Sequence, residues 1–361
     1  MPAIRILVVD DAVVMRRMIT EALGSHPGIE VVGSAPNGRI ALQKVPQVNP
    51  DLITMDVEMP EMDGVQTVRE LRKSYPKLPV IMFSTLTRQG AASTLDALAA
   101  GANDYVTKPA NVGNVLESIE ILKAELVPKI LLHCQGSAAS RASPVSRNPG
   151  RPFSAVPTRP FSALNSVQAF AIGCSTGGPN ALADLFSDIT VPLPVPTFIV
   201  QHMPPLFTKM LAERLDKNSP NRFCECTEGL RPEPGCVYIA PGGRHMAVSR
   251  AGTGFQLHLN DLPPENSCRP SVDVLFRSVA AAYGKSVLAL VMTGMGQDGL
   301  NGCRHIREHA GQILAQDQAT SVVWGMPGCV AEAGLADKVL PLRQIGAEVM
   351  RRMPVASLQR A

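Results

Sequence analysis

A chain of 361 residues is too long for one ordinary core and long enough for about two domains. With 45% hydrophobic residues, only 4% aromatics and a formal net charge of +3, it carries neither a basic stripe for nucleic acid nor a base-stacking platform. No apolar run reaches the ~18–20 residues of a membrane span, and the first, Ile4–Val9, is too short for a signal peptide and runs into Asp10 and Asp11, so the chain is expected to be cytoplasmic and not membrane-inserted.

The first segment alternates short apolar runs with amphipathic stretches. Strands are expected at Ile4–Val9, Val31–Ala35, Leu52–Met55, Val80–Phe83 and Asn103–Val106, with helices near 13–24, 38–47, 64–75, 88–100 and 112–126. Near-continuous apolar strands between helices imply a parallel sheet covered on both faces, with functional groups at the carboxyl ends of the strands. Asp10 and Asp11 end the first strand and Asp56 follows the third. Three converging carboxylates repel one another unless they hold a hard divalent cation such as magnesium. Ser84 ends the fourth strand, and Lys108 precedes Pro109 after the fifth. Singly, the aspartates could cap a helix and the lysine could be a solvated surface residue. Together, a carboxylate nucleophile, a metal site, a hydroxyl and an ammonium are what an aspartyl phosphate needs around it.

From about Leu132 to Ser166 the chain turns to Ser, Ala, Pro and Arg, and Arg-Pro-Phe-Ser-Ala occurs at 151–155 and again at 159–163. Such a composition cannot bury a core and reads as a flexible linker. Beyond it, strands are expected at Ala169–Cys174, Thr197–Gln201, Val287–Thr293, Gln312–Ala315 and Lys338–Leu342, and helices at 178–187, 205–217, 272–283, 299–309, 322–334 and 343–352. Between Phe223 and Asn260, shorter strands broken by Pro-Gly and Gly-Gly suggest an antiparallel insertion. The eight cysteines are scattered, and Cys224-Glu-Cys226 lacks the C-x-x-C spacing of metal or redox sites. Nearly all of them, Cys174 included, read as small apolar residues.

The string Gly173-Cys-Ser-Thr-Gly-Gly178 follows a strand and opens a helix, which leaves the Ser175 hydroxyl exposed near backbone amides. Alone it fits a phosphate-binding turn equally well. A nucleophilic serine needs a base, and His202 ends the strand Thr197–Gln201, whereas His245, His305 and His309 suit packing or surface roles better. Asp298 lies in the loop after the apolar strand Val287–Met292 and is the best orienting acid, with Asp273 and Asp317 as rivals. Ser175, His202 and Asp298 would form a triad in an order different from that of α/β-hydrolases.

The loop Asp56-Val-Glu-Met-Pro-Glu-Met-Asp-Gly64 and its surroundings resemble the receiver domains of two-component signalling. The segments Ile172–Pro179, Val200–Pro204, Ala240–Met246, Pro270–Phe276, Met292–Gly299 and Ala315–Pro327 resemble those of chemotaxis protein-glutamate methylesterases, so the likeness covers nearly the whole chain. It implies two doubly wound α/β parallel-sheet domains: a flavodoxin-like receiver over 1–128, then, after a linker over 129–166, a Rossmann-like hydrolytic domain over 167–356. Asp56 would accept phosphate from a chemotaxis histidine kinase, with Mg2+ held by Asp10, Asp11, Asp56 and the backbone carbonyl of Glu58. Lys108 would contact the phosphoryl group, and Ser84 and Tyr105 would carry the response. The hydrolytic domain would cleave γ-glutamyl methyl esters on methylated chemoreceptor helices and deamidate receptor glutamines, with oxyanion donors near Thr176 and Met295 and no cofactor for that step. The rival is a response regulator whose second domain binds a partner without catalysis.

Overall fold

The structure is a computed structural model that describes residues 3–109, 115–141 (side chains of 135–141 excepted) and 167–354. The chain divides between Arg151 and Pro152 into two compact units.

The first unit runs β1 (Ile4–Val9), α1 (Val13–Gly24), β2 (Ile29–Ala35), α2 (Gly38–Val48), β3 (Leu52–Asp56), α3 (Gly64–Ser74), β4 (Val80–Ser84), α4 (Arg88–Ala99), β5 (Asp104–Thr107) and α5 (Val115–Arg141). Its five strands are parallel in the order β2-β1-β3-β4-β5. Every residue of β3 and β4 is buried, as expected of central strands covered on both faces. Helix α1 packs with α5, and α2, α3 and α4 pack in series. Asp63 starts α3 with a capping box: its side chain accepts from Gln66 N–H and the Gln66 side chain returns to Asp63 N–H. That cap fixes the turn after Asp56, where a Cβ on Gly64 would collide with the Asp56 carbonyl.

Helix α5 is longer than expected. The buried stripe Leu122, Leu126, Ile130 and Cys134 continues across Pro128, so the apolar period carries the helix on to Arg141. The linker expected from 129 therefore begins as helix, and the rest of it, with the repeated pentapeptide, lies outside the described residues.

The second unit runs β6 (Ala169–Cys174), α6 (Gly178–Ser187), β7 (Thr197–Gln201), α7 (Phe207–Asp216), β8 (Arg222–Glu225), β9 (Cys236–Ile239), β10 (His245–Ala251), β11 (Gly254–Asn260), α8 (Val272–Tyr283), β12 (Val287–Val291), α9 (Leu300–Glu308), β13 (Gln312–Gln316), α10 (Met326–Glu332), β14 (Lys338–Leu340) and α11 (Leu342–Arg352). Its main sheet is parallel in the order β14-β13-β12-β6-β7-β9-β8. Helices α8, α9 and α10 pack in series, and α6 packs with α7 and α11. The core joins Phe198, Val200, Ala289 and Val291 of the sheet to Leu275, Phe276 and Val279 of α8.

The expected antiparallel insertion is smaller than the sequence suggests. Strands β8 and β9 join the main sheet in parallel, because Cys236–Ile239 is a fully buried run that pairs with β7 rather than folding back on β8. Within that stretch the antiparallel pairing is between β10 and β11. Helix α10 starts later than expected, with Pro327 in its first turn, where a missing N–H costs nothing.

Candidate functional site

The order β12-β6-β7 puts the ends of three neighbouring strands side by side. Cys174 pairs with Gln201 and Gly173 with Val291, so Ser175 and His202 each begin the loop beyond adjacent strands. Two backbone bonds seal this rim: His202 N–H donates to the Cys174 carbonyl at 3.1 Å and Ser175 N–H to the Thr293 carbonyl at 3.0 Å. The chain then turns into α6 through Gly177, whose φ of 79° suits glycine. Gln201 Nε2 holds the turn from below, donating to the Ser175 carbonyl at 2.9 Å.

Asp298 is 2% exposed and fully engaged. Its Oδ2 accepts from His202 Nε2 at 2.8 Å and Val272 N–H at 2.7 Å. Its Oδ1 accepts from Ser271 Oγ at 2.8 Å and Asn266 Nδ2 at 3.0 Å, and from the amides of Asp273 and Gly299 at 3.1 Å each. Burial pushes this carboxyl up, but the His202 bond and the backbone donors together hold it below its ordinary value. His202 is the complement. Burial alone would lower it, yet the hydrogen bonds to Asp298 and Cys268 raise it to about 9.

The second ring nitrogen, Nδ1, faces Cys268 Sγ at 3.5 Å. Among the described residues no hydrogen bond joins the Ser175 hydroxyl to His202; the serine stands on the adjacent strand end while the ring is held between Asp298 and Cys268. The reading of the cysteines as small apolar residues therefore fails at Cys268, which is half-buried and turned to the imidazole. Cys174 is fully buried, donates toward the Val200 carbonyl, and fits the packing role expected of it.

The rivals occupy structural positions. Asp273 accepts from Gly302 N–H and Asn266 Nδ2, bracing the start of α9, and Asp317 caps the turn at Thr320. His245 bonds the Pro263 carbonyl and Ser271 N–H, while His305 and His309 bond carbonyls of their own helix. Thr176 accepts from Thr293 Oγ1 at 2.9 Å beside the serine. Met295, 46% exposed, follows Gly294 in a loop tied down by bonds from Gly325 and Met326 N–H to the Gly294 carbonyl. Asn266, Ser271 and Cys268 escaped the sequence reading, although Ser271 lies inside the segment Pro270–Phe276 singled out there.

The first unit carries a second cluster at its own sheet edge. Asp10, Asp11 and Asp56 each place a carboxylate oxygen within 4.8 Å of the others. Lys108 Nζ bridges two of them, at 2.9 Å from Asp10 Oδ2 and 2.8 Å from Asp56 Oδ2. Burial raises the Asp56 carboxyl to about 6, against the pull of Lys108 and of the Glu58 amide, which donates to it. This oxygen-only donor set fits a hard divalent cation. A cavity of about 470 Å³ opens beside it, lined by Asp11, Glu58, Asp63 and Gln89 among others. Lys108 N–H donates to the Ser84 carbonyl at 2.7 Å, so the lysine and the serine share the rim. Tyr105 lies on β5 under Lys129, whose Nζ is 5.3 Å from its ring centre.

Two family models match the chain: a CheB methylesterase model over residues 170–349 and a response regulator receiver domain model over residues 6–120. A protein-glutamate methylesterase/protein-glutamine glutaminase of Nocardioides is 52% identical, over 98% of this chain and 96% of that protein. One of the same description from Trichodesmium erythraeum is 50% identical, over 98% of this chain and 100% of that protein. Among solved structures, the CheB methylesterase catalytic domain of Thermotoga maritima is 38% identical, covers 52% of this chain and 98% of its own, and superposes with a TM-score of 0.51.

Proposed function

Because the chain belongs to the protein-glutamate methylesterase family, joining a receiver domain to a methylesterase domain, we propose that Ser175 attacks the γ-carbonyl of methylated glutamates on chemoreceptors, with His202 as base and Asp298 as its orienting acid. Asp298 holds Nε2–H, so in the neutral form of the ring Nδ1 is the nitrogen that takes the serine proton. The tetrahedral intermediate collapses to an acyl-serine as that proton passes to departing methanol. A water, deprotonated by the same nitrogen, then frees the glutamate and restores Ser175. A receptor glutamine follows the same route with ammonia leaving, which is the glutaminase activity. Backbone donors at Thr176 and Met295 stabilise the oxyanion.

The receiver domain governs this hydrolysis by phosphorylation, and the pathway is chemotactic adaptation. Asp56 takes the phosphoryl group from a histidine kinase. Asp10, Asp11, Asp56 and the Glu58 carbonyl would hold Mg2+ there, and its charge would offset that of the phosphoryl oxygens. Lys108 stays beside the product as its counter-charge, and Ser84 and Tyr105 follow the change. No helix among the described residues is long and apolar enough to cross a membrane. The protein reaches the receptors' methylated helices from the cytoplasm.

The observation that carries the hydrolytic reading is the part-buried 2.8 Å His202–Asp298 pair at the strand end next to Ser175. Methanol release from methylated receptor membranes tests it. Ser175→Ala is expected to lower the rate by at least ~10³-fold and Asp298→Asn by a similar factor. Release by Ser175→Ala at the wild-type rate would leave the non-catalytic regulator as the better account.

A further inference from the structure

Cys268 reaches His202 by a built turn. Glu265 is clamped by both guanidinium nitrogens of Arg277, at 2.6 Å each, and bridges back to Cys268 through paired backbone bonds. Between them Asn266 and Ser267 adopt left-handed backbone, with φ of 51° and 62°, a conformation non-glycine residues adopt at a cost. Asn266 is further tied to Asp273 and Asp298. The turn is thus fastened at both ends, and it aims a thiol at the one imidazole nitrogen that Asp298 does not use.

Ligand atoms of His202, Cys268 and Asp298 all lie within 4.8 Å of one another. We propose that this corner of the hydrolytic site binds zinc(II) reversibly through Cys268 Sγ and His202 Nδ1, and that occupancy shuts hydrolysis off. His202 is already held as zinc-bound histidines are, with the ring's other N–H donated to a carboxylate, here Asp298. Asp298, already accepting six hydrogen bonds, serves as that anchor rather than as a direct ligand. On binding, the Cys268 S–H bond breaks, its proton leaves to solvent, and a zinc–thiolate bond forms. The thiolate and the Asp298 carboxylate together balance the charge of the ion. Sulfur and nitrogen donors select zinc over magnesium, whose oxygen donors stand at Asp10, Asp11 and Asp56, so the chain sorts two metals into two sites. Zinc at Nδ1 consumes the lone pair that must accept the Ser175 proton. This inhibitory half rests on the reading of His202 as the base, whereas the binding half does not.

Cobalt(II) is the probe, titrated into the full chain under saturating Mg2+. A thiolate-to-cobalt charge-transfer band is expected in wild type, displaced by zinc, and absent from Cys268→Ser and His202→Gln. Cys268→His, which keeps a nitrogen ligand, is expected to retain zinc binding within roughly tenfold while losing the band. Zinc at the concentration that displaces cobalt should suppress wild-type methanol release at least ~tenfold and leave Cys268→Ser near its own metal-free rate. A band that persists in Cys268→Ser, or none in wild type, overturns the site. A band that forms and vanishes as expected while zinc leaves hydrolysis untouched overturns the inhibition and, with it, His202 Nδ1 as the base.

Discussion

At the residue scale, Gly294 sets the position of Ser175, the nucleophile proposed above. A Cβ there would lie 2.8 Å from Ser175 Cβ and would run into the Met326 sulfur. Gly294→Ala should therefore push Ser175 off line and lower kcat by about 100-fold with the fold intact, since ~1 Å of misplacement costs that much. Steady-state methanol release with far-UV circular dichroism checks it, and an unchanged kcat would show that the serine does not depend on this wall. Strand-end placement alone did not separate Asp298 from Asp317, which directly follows β13; what sets Asp298 apart is its 2.8 Å bond to His202, whereas Asp317 caps the turn at Thr320. Cys268 was not legible at all. Its 3.5 Å approach to His202 joins residues 66 apart through a fastened turn, and nothing in local spacing announces such a contact.

At the element scale, α11 is held to the sheet by charge. Glu348, 8% exposed, accepts from Arg351 and Arg352 on its own helix and from Lys338 on β14. Burial would raise its carboxyl, yet these hydrogen bonds bring it from 4.5 down to about 2. A depressed folded value means the contribution is whole above pH 4.5 and drains away as pH falls toward 2. Glu348→Gln should lose about 1–3 kcal/mol near neutral pH, the worth of charge-assisted bonds, and the gap to wild type should close in that acid window. Urea titrations across pH would show this; a gap that does not vary with pH would remove the ionic explanation. The same local logic explains which elements were legible. Amphipathic helices such as α1, α6 and α8 match their expected bounds, as do the buried strands β1, β6 and β7. Strands β8 and β9 were misjudged because Pro234-Gly235 looks like a hairpin turn, and only the pairing of β9 with β7 reveals a parallel return. Periodicity alone carries no information about which neighbour a short strand chooses.

At the scale of the whole molecule, two compact units divide the work. The second unit has its own parallel sheet, its own core and all three residues proposed for hydrolysis. Expressed alone, it should melt cooperatively and release methanol without responding to a phosphodonor, while full-length Asp56→Asn should lose the same response. Calorimetry and rate measurements with and without the phosphodonor test both; stimulation surviving in either would remove the receiver pocket from control. The strand order carries a last consequence, for biosynthesis. Strand β6 is made first and β7 pairs with one of its edges early, but its other edge waits for β12, whose Val287 pairs with Ala169. Until then a growing chain presents an apolar strand with open hydrogen-bonding groups, the kind of edge that recruits chaperones or other nascent chains. Asp298 leaves the ribosome just behind the strand that closes this edge, so a translation product interrupted before β12 lacks both the seal on its sheet and the acid proposed for its site.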